Sequence, residues 1–154
     1  MKCVMCGKAG LKRTRDQVAY NQVAVVEASV YVCPRCGERY EGFDRVEELS
    51  QTVARQIARR PERLTPAEIR FLRKYLGYSG RDFAAFLGVT PETVSRWESA
   101  SSPKPMPLST EKLLRYMAMN ERPLSDYGLD QAGSSERRSY PLRFKNQKGT
   151  WVAA

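Results

Sequence analysis

The 154-residue chain contains no histidine. That absence removes His-based catalytic triads, His general bases and every mixed Cys/His zinc site in one step. No apolar run approaches the roughly 18 residues of a membrane-spanning helix, so no membrane partner is expected. The opening residues MKCVMCGKAG lack the apolar core of a signal peptide, and the expected compartment is therefore the cytoplasm. Cysteines number only four, and in a reducing cytoplasm structural disulfides are rare. Acidic residues are in short supply, 17 against 26 Lys and Arg, for a net charge of +9. Such an excess suits a polyanionic partner, because phosphates neutralised by Lys and Arg release condensed counterions. The excess is spread along the chain, however, and no segment is a basic arm; many soluble proteins are basic without binding nucleic acid.

What is present points to folded modules. Hydrophobic residues make up 42% and charged residues 28%, a globular balance, and the length suits one domain or two small ones.

All four cysteines fall in two matching fragments, CVMCG at 3–7 and CPRCG at 33–37. A C-x2-C pair lets two sulfurs converge on one ion, and zinc prefers four tetrahedral ligands with a strong taste for thiolate. The glycine after each pair permits the tight turn that such a loop needs. The 26 intervening residues include QVAVVEASVYVC, rich in Val and Tyr, which reads as strand. Cys3, Cys6, Cys33 and Cys36 are therefore read as ligands of one structural zinc per chain. A thioredoxin-type redox pair needs a βαβ setting that neither fragment has, and disulfides need an oxidising compartment. Four protein ligands leave no position for water, so catalytic zinc, and enzyme activity in general, is not expected.

Residues 44–63 follow as a connector. Asp44 and Glu47 have capping-box spacing, and Val46, Leu49, Val53 and Ile57 recur on one face of a helix ending near Pro61. From Leu64 onward one local pattern appears four times. An apolar residue precedes a Ser or Thr cap, and another apolar residue follows four positions after the cap: Leu64-Thr65 with Ile69, Tyr78-Ser79 with Phe83, Val89-Thr90 with Val94, Leu108-Ser109 with Leu113. These are hydrophobic staples around N-caps. Pro66 and Pro91 suit the first helical position, Thr65 and Glu68 complete a capping box, and Gly77 and Gly88 suit helix stops. Four short helices are predicted within 64–122.

The second and third of these fit a helix-turn-helix template. Counting from Gly80, the small residue at the fifth position is Ala84, the turn glycine at the ninth is Gly88, and the inward apolar sites are Val94 and Trp97. A merely structural helical hairpin would not require all four together. On this reading TPETVSRWE, residues 90–98, is the recognition helix. Glu92, Ser95 and Arg96 face outward as base-contact candidates, with Arg96 foremost because a guanidinium can bond both O6 and N7 of guanine. The plain alternative for Arg96 is a solvated arginine paired with Glu92 four residues earlier, the role favoured here for Glu92 over accepting a bond from cytosine N4. Ser79, Arg81, Thr90 and Lys104 are phosphate-contact candidates.

CVMCG…YVCPRCG with the following F-D helix start, and LTPAEIRFLRKYLGYSGRDFAAFLGVTPETVSRWESA after it, together resemble the MqsA-type antitoxins. Their zinc module is called the YgiT type, and their second part is a Cro/repressor-like helix-turn-helix. The resemblance covers about residues 1–120. It implies a homodimeric antitoxin that binds double-stranded operator DNA, represses its own operon and neutralises a toxin protein, with the zinc module on the toxin and the C-terminal part dimerising on DNA. Two positions depart from the pattern: Gly80 stands where glutamine often helps hold phosphate, and Glu92 where an amide or hydroxyl is usual. Arg96 matches the base-reading arginine.

Residues 123–139, PLSDYGLDQAGSSERRS, read as a linker, and YPLRFKNQKGTWVAA as a small hairpin around NQKG flanked by Leu142, Phe144 and Trp151. A lone hairpin is marginal in water and would have to dock elsewhere.

The expected architecture is thus mixed: a small β-rich zinc ribbon over 1–43, the connector helix over 44–63, an all-α helix-turn-helix bundle over 64–122, and linker plus hairpin over 123–154. The expected function is antitoxin and autorepressor. The alternative is a zinc-containing helix-turn-helix transcription regulator with no toxin partner.

Overall fold

The computed structural model describes residues 1–101, 104–122, 128, 132–133 and 142–153. The chain divides into two compact units, Met1–Pro123 and Leu124–Ala154.

The first unit opens with an antiparallel sheet of order β1-β2-β3, formed by Lys12–Tyr20, Ala24–Val32 and Arg39–Gly42. In β2 the side chains alternate between faces: Val26, Ala28, Val30 and Val32 turn to one side and pack with Val18 and Phe43. The opposite face is shielded by Arg13, whose guanidinium bonds the buried Ser29 hydroxyl at 2.9 Å and lies over the Tyr31 ring. The Val-rich pattern of β2 was legible as strand. β1 was not, because KRTRDQVAY buries only Val18 and Tyr20 and pairs along a single edge.

Five helices follow: α1 Val46–Arg59, α2 Pro66–Tyr75, α3 Gly80–Leu87, α4 Pro91–Trp97 and α5 Leu108–Asn120. Three of the four expected caps form. Thr65, Ser79 and Thr90 accept bonds from the amides of Glu68, Asp82 and Thr93, and Thr65 with Glu68 makes the reciprocal capping box. The fourth does not. α5 starts at Leu108 after Pro107, so Ser109 lies inside the helix; the fixed φ of the proline sets the entry without a side-chain cap. Asp44 likewise does not cap α1. Arg45 occupies that position with φ 50, and no side chain caps the free amides of the first turn.

Gly77 and Gly88 both adopt positive φ. At each, the amide one residue later reaches back to a carbonyl of the preceding helix: Tyr78 to Arg73 at 3.1 Å, Val89 to Ala84 at 3.0 Å. The same device therefore ends α2 and α3, and each stop runs directly into the next Ser or Thr cap.

The helical core holds Ile69, Leu72, Phe83, Ala84, Val94, Trp97, Leu114 and Met117, all nearly or fully buried. Burying a side chain such as Leu72 or Phe83 contributes about 1.5–3 kcal/mol relative to exposure. α1 packs chiefly on α5 and also on α2. Its buried residues are Ala54, Ile57 and Ala58, while Val46 is about half exposed. The expected stripe Val46–Leu49–Val53–Ile57 is thus rotated: small alanines permit the close approach to α5.

An ion cluster holds this packing. Glu111 of α5 accepts from Arg63 Nε at 2.6 Å, Arg115 Nη2 at 2.8 Å and the Leu64 amide at 3.1 Å. Arg115 also bonds the carbonyls of Ile57, Ala58 and Arg60 at the end of α1, and that of Glu62. At the other end of α1, Tyr20 joins sheet to helices: its hydroxyl lies 2.7 Å from Ser50 Oγ, and its ring packs edge-on against Phe43 and Phe71.

The second unit contains β4, Phe144–Gln147, paired antiparallel with β5, Thr150–Ala153. Lys148 and Gly149, with φ 52 and 85, form the two-residue turn, supported by the Gly149 amide on Asn146 Oδ1 at 3.0 Å. Leu142, Phe144 and Trp151 are all exposed. The expected linker lies largely outside the described residues.

Candidate metal centre and nucleic-acid interface

The two C-x2-C fragments fold into loops of the same construction. In the first, the Gly7 amide bonds the Cys3 carbonyl at 2.8 Å and the Cys3 amide bonds the Lys8 carbonyl at 2.9 Å. In the second, Gly37 bonds Cys33 at 3.0 Å and Cys33 bonds Glu38 at 2.9 Å. Both glycines carry positive φ, 69 and 74, as the tight reversal demands. Backbone amides then point at sulfur: Met5 and Cys6 toward Cys3, Arg35 and Cys36 toward Cys33, Lys8 toward Cys6, and Glu38 toward Cys36.

The sheet brings the loops together because Lys12 pairs with Val32 and Val32 with Arg39, placing all three strand ends beside one another. The four Sγ atoms lie within 4.8 Å of one another, with Cys3–Cys36 and Cys6–Cys33 each at 3.6 Å. None is disulfide-bonded. A tetrahedral ion with metal–sulfur bonds of about 2.3 Å separates its sulfurs by about 3.8 Å, so the donor set fits one metal ion.

The electrostatics of the cluster point the same way. The Tyr40 hydroxyl, 3.2 Å from Cys3 Sγ, and the nearby amides hold the Cys3 thiol down to about 6. Cys36 is pushed up to about 12: the Glu38 amide lowers it, but desolvation and the other three sulfurs outweigh that. Cys33 is likewise lowered and Cys6 raised, and four sulfurs within 4.8 Å of one another repel as thiolates unless a cation offsets their charge.

α3 and α4 meet across the turn Gly88–Thr90. Ala84 is fully buried where the helices approach, and Val94 and Trp97 are sunk in the core. Glu92, Ser95 and Arg96 are exposed, as are Ser79, Arg81, Thr90 and Lys104. Two details sharpen those assignments. Ser79 and Thr90 use their hydroxyls in capping, at 3.0 Å to Asp82 N and 3.2 Å to Thr93 N, leaving the Arg81 guanidinium as the extended donor at the start of α3. The expected Glu92–Arg96 ion pair is not made; among the described residues Arg96 has no ion-pair partner. The Lys104 amide, rather than its side chain, contacts α4, donating to the Arg96 carbonyl at 3.1 Å.

Sequence reasoning missed Tyr40 and Glu98. Tyr40 has no periodic signal, as it acts across 37 positions. Glu98 carried none either: a carboxylate at the C-terminal end of a helix merely opposes the macrodipole, and its partners Arg73 and Arg70 lie 25 and 28 positions away.

A cysteine-clustered sheet able to hold a metal, followed by a bundle with a helix–turn–helix pair, defines a class of small two-part proteins. Residues 1–124 match the family model for the antitoxin component of the bacterial toxin-antitoxin system, MqsA, and the chain belongs to that family. Searches of curated proteins and of solved structures gave no match. No helix of the described residues is long and apolar enough to cross a membrane.

Proposed function

We propose that this antitoxin is a cytoplasmic, non-enzymatic repressor of its own operon that also neutralises a toxin protein. It binds double-stranded operator DNA as a homodimer, with α4 in the major groove. The observation that carries the DNA reading is the division of α4: Val94 and Trp97 are buried, while Glu92, Ser95 and Arg96 share the exposed side. Arg96 reads guanine, Ser95 and Glu92 contact neighbouring base edges, and Arg81 and Lys104 hold phosphates, with Ser79 and Thr90 fixing the helix starts beside the backbone. Membership of the antitoxin family supports a toxin as the protein partner.

Zinc is the metal best suited to Cys3, Cys6, Cys33 and Cys36, one ion per chain. Four thiolates give it a closed tetrahedral shell, and its place is to hold a ribbon whose own apolar core is small.

The test combines two measurements on zinc-loaded protein. Binding to the DNA upstream of its own operon should reveal paired half-sites about one helical turn, roughly 34 Å, apart. Co-expression with the adjacent open reading frame should yield a complex and relieve that product's toxicity. DNA binding without any toxic partner would reduce the reading to a plain regulator, and loss of both would overturn it.

A further inference from the structure

Among the described residues, three of the four cysteines receive bonds only from backbone amides and from one another, and Cys3 alone has a further side-chain donor. That donor is Tyr40, from the middle of β3, on the far side of the sheet module from the first loop in sequence. Its register opposite Tyr31 carries the ring across the base of the loop, and its hydroxyl ends 3.2 Å from Cys3 Sγ. The same oxygen accepts the Val4 amide at 3.1 Å and lies 3.4 Å from the Met5 amide. With its lone pairs facing those two N–H groups, the hydroxyl hydrogen is left for the sulfur.

We infer that Tyr40 is a positioning residue of the metal centre: it donates to the Cys3 thiolate and, through Val4 and Met5, fixes the loop that presents both Cys3 and Cys6. This rests on the metal-centre reading of the four cysteines and goes beyond it. A four-thiolate zinc site carries two net negative charges, and a donor at one sulfur draws off part of that charge. Groups of this kind orient ligands and typically change metal affinity by roughly 10- to 100-fold. The two loops are otherwise built alike, so Tyr40 makes them unequal. The first loop is held to β3 by a side chain as well as by metal; the second continues directly from β2 into β3 and needs no such tie.

The experiment uses the full-length protein and Tyr40→Phe, which keeps the ring and removes only the hydroxyl. The Val4 and Met5 bonds are solvent-accessible, so water replaces the lost acceptor and the fold survives. Chelator competition should show zinc bound roughly 10- to 100-fold more weakly. In the cobalt-substituted protein the sulfur-to-metal charge-transfer bands should move to lower energy, because a thiolate without its hydrogen bond gives up an electron more easily. Tyr31→Phe, the cross-strand neighbour, is the control and should leave both readouts unchanged. Wild-type zinc affinity and wild-type bands in Tyr40→Phe would overturn the inference. So would weaker affinity with unmoved bands, or the same changes in Tyr31→Phe, since both would mark loosening of the sheet rather than loss of a donor at sulfur. Failure of the wild-type protein to bind zinc or cobalt at all would instead overturn the metal reading itself.

Discussion

Arg73 and Glu98 meet through two hydrogen bonds, Nε to Oε1 at 2.6 Å and Nη2 to Oε2 at 3.0 Å, with both side chains less than a tenth exposed. The pair ties α2 to the residue that closes α4, and Arg73 also bonds the Tyr78 carbonyl at 2.7 Å in the turn before α3. One guanidinium therefore sets the mutual position of three helices. Removing one partner leaves the other charge buried, so Glu98→Ala should lower stability by about 3–5 kcal/mol. The double variant Arg73→Met/Glu98→Leu should lose less than either single change. Urea unfolding of the zinc-loaded protein measures this; a loss under about 1 kcal/mol would show the pair to be no stronger than a surface contact.

Arg96 stands apart from that network. Arg96→Ala should leave stability within about 0.5 kcal/mol, as for an exposed side chain with no ion-pair partner among the described residues. On operator DNA it should cost about 1–3 kcal/mol and relax sequence preference. Equal losses on every DNA sequence would place Arg96 on phosphate. Glu92→Gln separates readout from charge: a changed base preference marks a contact to a base, whereas a uniform gain in affinity marks relief of repulsion. The unmade Glu92–Arg96 pair makes the earlier role, holding Arg96 in place, the weaker one.

A Cβ added at Gly80 meets nothing within 4 Å, and the residue is not at positive φ. Gly80→Gln should therefore stabilise the protein by about 0.4–1 kcal/mol through the unfolded chain. On the proposed mode of binding it should also tighten DNA binding on all sequences alike, since an amide at the start of α3 would then face phosphate rather than bases. Calorimetry and a binding series across several DNA sequences test the two effects separately.

Acid should loosen the attachment of α1. Burial pushes the Glu111 carboxyl up, but Arg115, Arg63 and the Leu64 amide outweigh it, so the group lies below the ordinary glutamate value of about 4.3. A depressed folded pKa adds stability above the unfolded value, and that stability disappears as pH falls through the folded one. Wild-type stability should drop on acidification below about pH 4.3. Glu111→Gln should be less stable at neutral pH and flatter in that window. Parallel pH profiles for the two proteins would disprove the assignment.

Stripping the metal should unfold the sheet first. Its apolar cluster of Val18, Ala28 and Val30, with Val26, Val32 and Phe43 around them, is small, whereas the helices carry their own larger core. Chelation should erase the strand signals in a nuclear magnetic resonance spectrum while helical circular dichroism largely persists. Freshly purified, reduced protein should hold close to one equivalent of zinc.

Local chemistry was readable in the residues themselves. Thr65, Ser79, Thr90, Gly77 and Gly88 act on backbone groups three to five positions away, so spacing alone announces them. The two C-x2-C-G loops belong to the same category, and the convergence of their sulfurs was expected from the donor set that one ion would require. Ser109 failed because Pro107 already supplied the entry to α5, and Asp44 failed because Arg45 took the left-handed position before α1.

What only the folded chain decided acts across long separations. The pairing of Arg73 with Glu98, the three donors on Glu111, the rotated face of α1 and the reach of Tyr40 to Cys3 all depend on which surfaces the topology brings together. A charged or aromatic side chain carries no mark of a partner 25 or 37 positions away. The sequence determined where α2, α3 and α4 start, where α2 and α3 stop, and which sulfurs share a site. The tertiary structure decided which face each helix buries and which charges are paired, because those energies exist only once water has been excluded between the elements.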